Sequence, residues 1–439
     1  MRLTVLGGGG FRVPLVYHTF LGKTPIAGSP VTEVVLHDIS DDRLAAIRSV
    51  LEQMAGPGAP GIRATTSLDD ALDGARFVFS AIRVEGLQGR TVDERVALRC
   101  GVLGQETTGP GGIAYGLRTV PVAMRVAERV AALAPDAWVI NFTNPAGMIT
   151  EAMQRVLGDR VVGICDSPVG LARRAARALC VGGEHAVDYV GLNHLGWLRG
   201  LRVDGVDRLP ELLADDAALQ RIEEARLVGL DWVRCIGALP NEYLYYYYCN
   251  REAVAAITAA PRTRGEYLLD QQERFYADTA VDPAGALQRW SNVRAERDAS
   301  YMAESRGAQE RDGADVEIGG YQQVALALMA ALSGGQSRTM ILDVRNGSAV
   351  PGLPADAVVE VPCHVGAHGI TPLATRPLDP AKLGLLQQVK AVEQDTIEAA
   401  VTRSARLALR AFAQHPLVDS VAVARRLLDG YRAAFPGLP

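Results

Sequence analysis

The chain has 439 residues, of which 48% are hydrophobic and 22% are charged. This is the composition of an ordinary globular protein, and the length predicts two or three domains. The net charge of −5 arises without a basic stripe or a run of like charge, so nothing in the sequence predicts nucleic acid binding. No stretch approaches the ~20 consecutive apolar residues of a membrane-spanning helix, so we expect no membrane partner.

The N-terminal segment and the cysteines bear on the cellular compartment. Residues 1–8 contain one basic residue and an apolar run too short for the core of a signal peptide. We therefore expect a cytoplasmic protein whose six cysteines are reduced. No two of them form a Cys-x-x-Cys pair, which excludes a zinc ribbon and a thioredoxin-type motif.

In the first half of the chain, short runs rich in valine and isoleucine alternate with segments of helical periodicity. The runs are apolar on both faces, which is typical of parallel strands covered by helices on both sides. They lie at residues 3–6, 34–37, 77–82, 138–141, 161–164 and 189–192. Helical spacing follows Asp41 and returns over 120–133. This alternation predicts an α/β fold, with a Rossmann-like doubly wound sheet over residues 1–195.

After about residue 200, long helical stretches dominate the pattern. They lie at 210–230, 264–275, 321–332 and 381–428, with strand-like runs at 340–344 and 358–362 among them. We therefore predict a mixed, helix-rich α+β domain over residues 196–439. We expect this domain to bind substrate and to mediate oligomerisation, with the site at the junction of the two domains.

A glycine-rich turn follows the first predicted strand. Gly7, Gly8, Gly9 and Gly10 allow a tight turn and the close approach of a pyrophosphate to the backbone, although Val13 breaks the strict G-x-G-x-x-G pattern. Asp38 follows the second strand, where a carboxylate accepts hydrogen bonds from a ribose and favours NAD over NADP. The alternative is a tight strand–helix turn without a ligand.

Cys165 and His194 each follow a predicted strand. Cys165 precedes a helix start at which Asp166 or Ser167 is a candidate cap, and this location predicts a lowered thiol pKa. If both strands lie in one sheet, the two side chains emerge at the same edge. They are then a nucleophile and its base, or two ligands of a divalent metal, or a buried cysteine and a structural histidine.

Further polar residues follow the ends of other predicted strands. Arg83 and Arg90 are candidate anion ligands, and Asn144 is either a sugar ligand or a turn residue before proline. Five tyrosines lie within residues 243–248, where we expect at most one to take part in chemistry, because a tyrosine is a poor base unless a cation lowers its pKa.

Eight segments, in order along most of the chain, together resemble glycoside hydrolase family 4, whose members are NAD- and metal-dependent glycosidases. The segments are residues 7–10, 82–86, 104–112, 141–145, 165–168, 191–197, 240–247 and 263–264.

The resemblance implies a role for each of these site residues. Cys165 and His194 would bind Mn²⁺ or another divalent metal, Tyr243 would remove the proton at C2 of the sugar, and Asp166 is a candidate acid. The implied substrate ligands are Arg90, Asn144, Asn193 and Arg264, of which Arg90, Asn144 and Arg264 match residues that hold a 6-phosphate. The implied NAD⁺ ligands are Gly7, Gly8, Gly9, Gly10, Phe11, Arg12, Asp38 and Arg83.

The activity implied by the resemblance is hydrolysis of 6-phospho-β-glucosides through oxidation at C3, elimination, addition of water and reduction. Asp166 is typical of 6-phospho-α-glucosidases, whereas Thr107 and Thr108 are typical of β members, so the α activity is an alternative. Two further alternatives are an NAD-dependent sugar or hydroxy-acid dehydrogenase and a non-catalytic sensor. The expected partners are a phosphorylated disaccharide or glucoside and further copies of this chain, as a homodimer or homotetramer.

Overall fold

The computed structural model describes residues 1–21, 31–183, 185–300 and 320–439. The strands within these ranges are β1 (Arg2–Leu6), β2 (Glu33–His37), β3 (Gly61–Thr65), β4 (Phe77–Ser80), β5 (Trp138–Asn141), β6 (Val161–Gly163), β7 (Ala186–Leu192), β8 (Leu195–Val203), β9 (Val206–Asp207), β10 (Leu239–Pro240), β11 (Arg338–Arg345), β12 (Val358–Gly366) and β13 (Gly369–Pro372).

The α-helices within the same ranges are Val13–His18, Asp41–Met54, Leu68–Leu72, Gly86–Arg99, Pro110–Leu133, Ala146–Leu157, Ser167–Ala178, Leu209–Ala214, Asp216–Leu219, Glu223–Val228, Leu230–Ile236, Tyr245–Tyr248, Asn250–Ala259, Arg264–Val281, Ala286–Ala299, Tyr321–Leu332, Pro380–Thr402, Ala405–Gln414 and Val421–Ala434.

The N-terminal strands form a parallel sheet in the order β3-β2-β1-β4-β5-β6. This is the strand order of the Rossmann fold, so the predicted doubly wound sheet is confirmed. Strand β3 was not predicted. It lies at the edge of the sheet with its residues only partly buried or exposed, and it therefore lacks a continuous apolar run.

Both faces of the parallel strands are covered, as the apolar pattern predicts. Leu3 and Val5 lie in one core with the helix Asp41–Met54, whereas Leu6 faces the opposite core with the helix Pro110–Leu133. Successive side chains of a strand point to opposite faces, so each strand contributes to both cores.

Beyond β6 the sheet continues with antiparallel strands. Asp343 on β11 pairs with Gly163 on β6, and Glu360 on β12 pairs with Gly191 on β7. Strand β7 is antiparallel to both of its neighbours, so the prediction of a parallel strand at 189–192 is wrong in direction. An apolar run buried on both faces fixes the presence of a strand but not its direction. The sheet crosses residue 195, and the division into domains there stays a prediction.

Two long predicted helices are divided in the structure. The stretch 210–230 forms several short helices, one of which is capped by the side chain of Asp215. The stretch 381–428 forms parts of three helices, because Arg403 adopts a left-handed backbone with φ of 55° and Ser404 and Ser420 each cap a new helix. These caps satisfy backbone N–H groups that would otherwise have no partner.

Two further findings concern membrane segments and disulfides. In the part of the chain that the structure describes, no helix combines the length and the apolar character needed to span a bilayer. All six cysteines are free thiols.

The helices Gly86–Arg99 and Pro110–Leu133 are joined by a buried ion pair. Arg118 donates two hydrogen bonds to the Asp93 carboxylate, at 2.7 and 2.8 Å. Burial raises the Asp93 pKa from 3.8 to about 7 in spite of Arg118. Protonation of Asp93 therefore favours the folded state, and this contribution to the free energy of unfolding is fully present below pH 3.8 and is lost as the pH rises through about 7. Above that pH the buried Asp93 carboxylate is charged, and the Arg118 guanidinium compensates this negative charge.

We therefore expect Arg118→Met to lower the free energy of unfolding by about 3–5 kcal/mol at pH 8, and by less at pH 5, where Asp93 is protonated. Urea titrations at both pH values measure the two losses. The control is Arg129→Met, which removes an exposed pair with Asp69 and should cost less than ~1 kcal/mol. Equal losses in the two variants would contradict the assigned role of the buried pair.

Candidate active site

A cavity of about 1080 Å³ lies where the parallel strands β1, β2, β4, β5 and β6 end. Open α/β sheets bind ligands at this edge, and the volume lies just above the usual range of about 300–1,000 Å³ for small-molecule and cofactor sites. All the predicted site residues except Gly8 and Gly9 line this cavity. The fold therefore brings together residues that lie more than 250 positions apart in the sequence.

The glycine-rich turn leaves bare backbone at the wall of the cavity. The Gly10 N–H donates to the Gly7 carbonyl oxygen at 2.9 Å, and Gly7 has a φ of 80°. A Cβ on Gly7 would lie 2.5 Å from the Ala81 carbonyl oxygen, and one on Gly8 would lie 2.8 Å from the His37 nitrogen. Side chains are therefore excluded from this turn, which fits the close approach of a dinucleotide pyrophosphate.

Asp38 follows β2 at the same end of the cavity. Its carboxylate accepts hydrogen bonds from the backbone N–H groups of Gly9, at 3.0 Å, and Ser40, at 3.3 Å. These bonds orient the acid beside the turn, where a carboxylate fits a ribose. Phe11 follows the glycine-rich turn, and its side chain packs into the core, with 5.2 Å between its ring centroid and that of Phe275.

Cys165 follows β6 and is buried, with 5% of its surface exposed. Burial, with the charges of Glu360 and Asp166 adding to it, raises the thiol pKa well above its usual value. The predicted lowering of this pKa is therefore wrong for the protein without a bound cation. Asp166 holds the N-cap position, as predicted, but its side chain makes no capping hydrogen bond, and the Ser167 hydroxyl donates to Glu242 at 2.8 Å.

His194 lies in the turn between β7 and β8, with a φ of 64°. Its Nδ1 is 3.0 Å from the hydroxyl oxygen of Thr107, and that hydroxyl donates to the Gln105 amide oxygen at 3.2 Å. The Thr107 oxygen therefore accepts from Nδ1–H, which assigns the lone pair of the imidazole to Nε2. Burial lowers the His194 pKa to about 3, so the ring is neutral, which is the form that binds metals.

Across the described ranges, no cluster of three or more histidine, cysteine, aspartate or glutamate side chains is arranged to hold a metal. A cation between Cys165 and His194 would therefore need further ligands from a substrate or water. A thiolate, a neutral imidazole and added oxygen ligands form a set that suits Mn²⁺, Zn²⁺ or a related ion.

Tyr243 lies beside the candidate metal ligands. Its ring stacks on His194, with 3.7 Å between the centroids and 10° between the planes. The Asn241 side chain fixes the backbone there, because its oxygen accepts from the Tyr243 N–H at 3.0 Å. The Tyr243 side chain is thus held against the His194 ring.

Arginines gather at the Tyr243 end of the cavity. Arg83 and Arg90 both form ion pairs with Glu106, and Arg90 also pairs with Glu94 at 2.8 Å. Although burial acts to raise its pKa, the Arg83 and Arg90 charges hold the Glu106 pKa at about 2. Sequence reasoning missed Glu106 because the surrounding glycines indicated only a loop.

Two asparagines and Arg264 are the other predicted substrate ligands in the cavity. Asn193 donates to Glu360 at 3.4 Å, and the Tyr189 hydroxyl donates to the other oxygen of this carboxylate at 2.8 Å. Glu360 therefore orients the residue next to His194, a role that no sequence motif indicated. Arg264 begins the helix Arg264–Val281 and donates to the Ser300 hydroxyl at 2.7 Å. Asn144 also lines the cavity.

Comparison with known proteins identifies the family. The model of the family 4 glycosyl hydrolases matches residues 2–181, and the model of their C-terminal domain matches residues 189–418. The chain is 31% identical over 444 residues to the probable 6-phospho-beta-glucosidase of Bacillus subtilis (strain 168), covering 98% of this chain and 95% of that protein.

The chain belongs to glycoside hydrolase family 4.

Family 4 relatives with both anomeric specificities match at similar levels. The maltose-6'-phosphate glucosidase of Bacillus subtilis (strain 168) is 29% identical over 446 residues, covering 97% of this chain and 94% of that protein. A crystal structure of the 6-phospho-beta-glucosidase of Thermotoga maritima, with NAD and glucose-6-phosphate, has a TM-score of 0.84 at 25% identity and covers 99% of this chain and 98% of the other.

A 6-phospho-alpha-glucosidase from gut microorganisms, solved with NAD and Mn²⁺, has a TM-score of 0.80 at 26% identity and covers 99% of this chain and 98% of the other. The family resemblance predicted from the sequence is thus confirmed, and the chain is a glycosidase rather than a dehydrogenase or a sensor.

Proposed function

We propose that this family 4 glycosidase hydrolyses 6-phospho-β-glucosides with NAD⁺ and Mn²⁺ or another divalent cation. One observation supports this most directly. A single cavity joins a bare glycine turn with Asp38, the group Cys165, His194 and Tyr243, and a cluster of arginines. These are the three features that a dinucleotide, a metal-assisted proton abstraction and a sugar phosphate require.

The residues present fit both cofactors. The turn Gly7–Gly10, with Phe11, Arg12, Asp38 and Arg83, would hold NAD⁺, and Cys165 and His194 would hold the cation. When bound, NAD⁺ would supply a hydride acceptor for C3 of the sugar and the cation would supply a Lewis acid for the oxygens at C2 and C3. The neutral His194 ring suits a cation, and so does the absence of a third protein ligand among the described residues, because the sugar oxygens would complete the ligand set.

The chain's own side chains then move the proton and hold the sugar. Tyr243 removes the proton at C2 so that the aglycone leaves from C1. Arg90, Asn144 and Arg264 hold the 6-phosphate, and Asn193, oriented by Glu360, holds a hydroxyl. Water then adds at C1 and the steps reverse, so no pair of catalytic carboxylates is needed.

The β anomer is the more specific part of the proposal, since relatives of both specificities match the chain. The Thr107-Thr108 pair supports it, because the resemblance gives this pair as typical of β members. The alternative is an α-glucosidase in which Asp166, which lines the cavity next to Cys165, protonates the leaving group. A cytoplasmic location and assembly into a homodimer or homotetramer remain predictions from the sequence.

The test is hydrolysis of paired 4-nitrophenyl α- and β-glucoside 6-phosphates, with NAD⁺ and Mn²⁺ each present or withheld. Cleavage of the β substrate only when both are present would support the proposal. Cleavage of the α substrate would establish the alternative and make Asp166 the candidate acid. Cleavage of either substrate without NAD⁺ would contradict the proposed mechanism.

Arg264→Ala tests the phosphate site. Loss of a charge-assisted hydrogen bond to phosphate is expected to raise KM for the phosphorylated substrate by about 10- to 100-fold. Competitive inhibition by glucose 6-phosphate should weaken by the same factor, whereas inhibition by unphosphorylated glucose should change by less than about twofold. An equal loss for both sugars would argue against a phosphate contact.

A further inference from the structure

Three helices from the second half of the chain contact the backbone of residues 7–12, the segment that contains the glycine-rich turn. Each helix contributes one aromatic side chain that donates a hydrogen bond to a backbone carbonyl of this segment. The hydrogen bonds join Tyr276 to the Gly9 carbonyl oxygen at 2.6 Å, Trp290 to that of Phe11 at 2.8 Å and Tyr321 to that of Arg12 at 3.0 Å. Each donor lies at least 267 positions after its acceptor.

Burial makes these hydrogen bonds important for the turn. Trp290 and Tyr321 are buried, with 4% and 2% of their surfaces exposed. Burial also raises the Tyr321 pKa to about 12 and raises the Tyr276 pKa, so both hydroxyls keep the proton that they donate at neutral pH. Loss of a donor would leave a poorly solvated carbonyl without this partner, which costs free energy.

The bonds to the carbonyls also fix the N–H groups of the same peptide units. A peptide unit is planar and trans, so a carbonyl held on one side sets the direction of the N–H on the other. Trp290 thereby sets the direction of the Arg12 N–H. Tyr276 likewise sets the Gly10 N–H, which closes the tight turn. Backbone N–H groups of such turns bind the pyrophosphate of a dinucleotide, so the aromatic donors shape the predicted cofactor site.

Two of the three donors lie outside the cavity. Tyr321 is among the described residues that line it, whereas Tyr276 and Trp290 are not. The Tyr276 hydroxyl also accepts a hydrogen bond at 3.2 Å from Arg43, which lines the cavity. The indole N–H of Trp290 is used by the Phe11 carbonyl. An effect of this N–H on cofactor binding therefore has to pass through the turn.

We propose that Tyr276, Trp290 and Tyr321 are positioning residues for NAD⁺, which hold the glycine-rich turn in the form that binds the pyrophosphate. This inference rests on the proposed function, in which the turn holds NAD⁺. The parallel sheet supplies the turn, and the helices of the second half fix its shape. The dinucleotide site is thus completed by side chains that lie outside the Rossmann-like part of the chain.

The Tyr276→Phe and Trp290→Phe variants test this inference, because each keeps an aromatic ring and removes the donor. The Kd for NAD⁺, measured by calorimetry on the full chain without sugar, should rise by about threefold to tenfold in each variant and by about 10- to 100-fold in the double variant. Hydrolysis at saturating NAD⁺ should keep kcat within about twofold of wild type, because neither donor lies in the cavity.

The matched control is Tyr431→Phe. Tyr431 is fully buried, and its hydroxyl donates to the Asp93 backbone carbonyl at 2.9 Å, again from the second half of the chain to the first. It does not line the cavity. This variant should lose about as much stability towards urea as Tyr276→Phe while it keeps the wild-type Kd for NAD⁺.

Three outcomes would overturn the inference. Unchanged Kd for NAD⁺ in the double variant would show that the donors do not shape the cofactor site. An equal rise of this Kd in Tyr431→Phe would assign the effect to a general loss of stability, and a loss of kcat at saturating NAD⁺ would assign it to the catalytic steps. If the wild-type enzyme does not bind NAD⁺, the proposed function fails as well, which distinguishes that failure from the other three.

Discussion

The Cys165→Ser variant is expected to lose at least about 10³-fold in kcat while its affinity for NAD⁺ stays within about twofold. Metal assistance is worth several kcal/mol of transition-state stabilisation, and the serine hydroxyl is a poor replacement for a thiolate ligand. The Cys165 thiol is buried and its pKa is raised, so it releases its proton only when a cation binds. Titration of Mn²⁺ by calorimetry and steady-state hydrolysis measure the two losses separately.

Cys363→Ser is the matched control for Cys165→Ser. Cys363 is fully buried in β12 and donates to the Val361 carbonyl at 3.3 Å, a bond that a serine hydroxyl is able to replace. It does not line the main cavity. This variant should keep its activity and its Mn²⁺ affinity. Wild-type activity of the Cys165→Ser variant, or full wild-type activity in excess chelator, would contradict the metal assignment.

The Tyr243→Phe variant is expected to lose about 10²- to 10⁴-fold in kcat, which is the usual contribution of a general base. Phenylalanine keeps the ring that stacks on His194 at 3.7 Å, so the imidazole and the Mn²⁺ affinity should be retained. Exchange of the C2 hydrogen of glucose 6-phosphate with D₂O, followed by NMR, should disappear.

Tyr247→Phe is the control within the same tyrosine run. The Tyr247 ring lies 6.2 Å from the His415 ring and the residue does not line the main cavity. This variant should keep C2 exchange within about threefold of wild type. Retained exchange in Tyr243→Phe would assign the base to another residue, and Tyr246, which lines the cavity, is the next candidate.

The sequence predicts the Rossmann-like half of the fold well because its strands are buried on both faces. The sequence predicts the direction of strands and the continuity of helices less well. The run 189–192 is antiparallel, and the long helical patterns are divided at Asp215 and Arg403. Direction depends on pairing with β12, more than 160 residues later in the chain, and no local pattern contains that information.

The site shows the same division between local and distant information. Motifs around Cys165, His194 and Tyr243 identify residues that one cavity then brings together. Glu106 and Glu360 escape sequence reasoning for different reasons. Glu106 lies among glycines that indicate only a loop, and Glu360 lies in a strand where a single acid among valines carries no spacing signal. Their roles follow only from burial and from the side chains of distant segments.

The most direct test of the proposed mechanism is the fate of the C2 hydrogen during hydrolysis. 4-Nitrophenyl β-glucoside 6-phosphate would be hydrolysed in D₂O with NAD⁺ and Mn²⁺, and the glucose 6-phosphate released would be examined by NMR. We predict deuterium at C2, protium at C3 and no net accumulation of NADH. Product that retains protium at C2 from the first turnover would contradict proton abstraction by Tyr243 and, with it, the proposed mechanism.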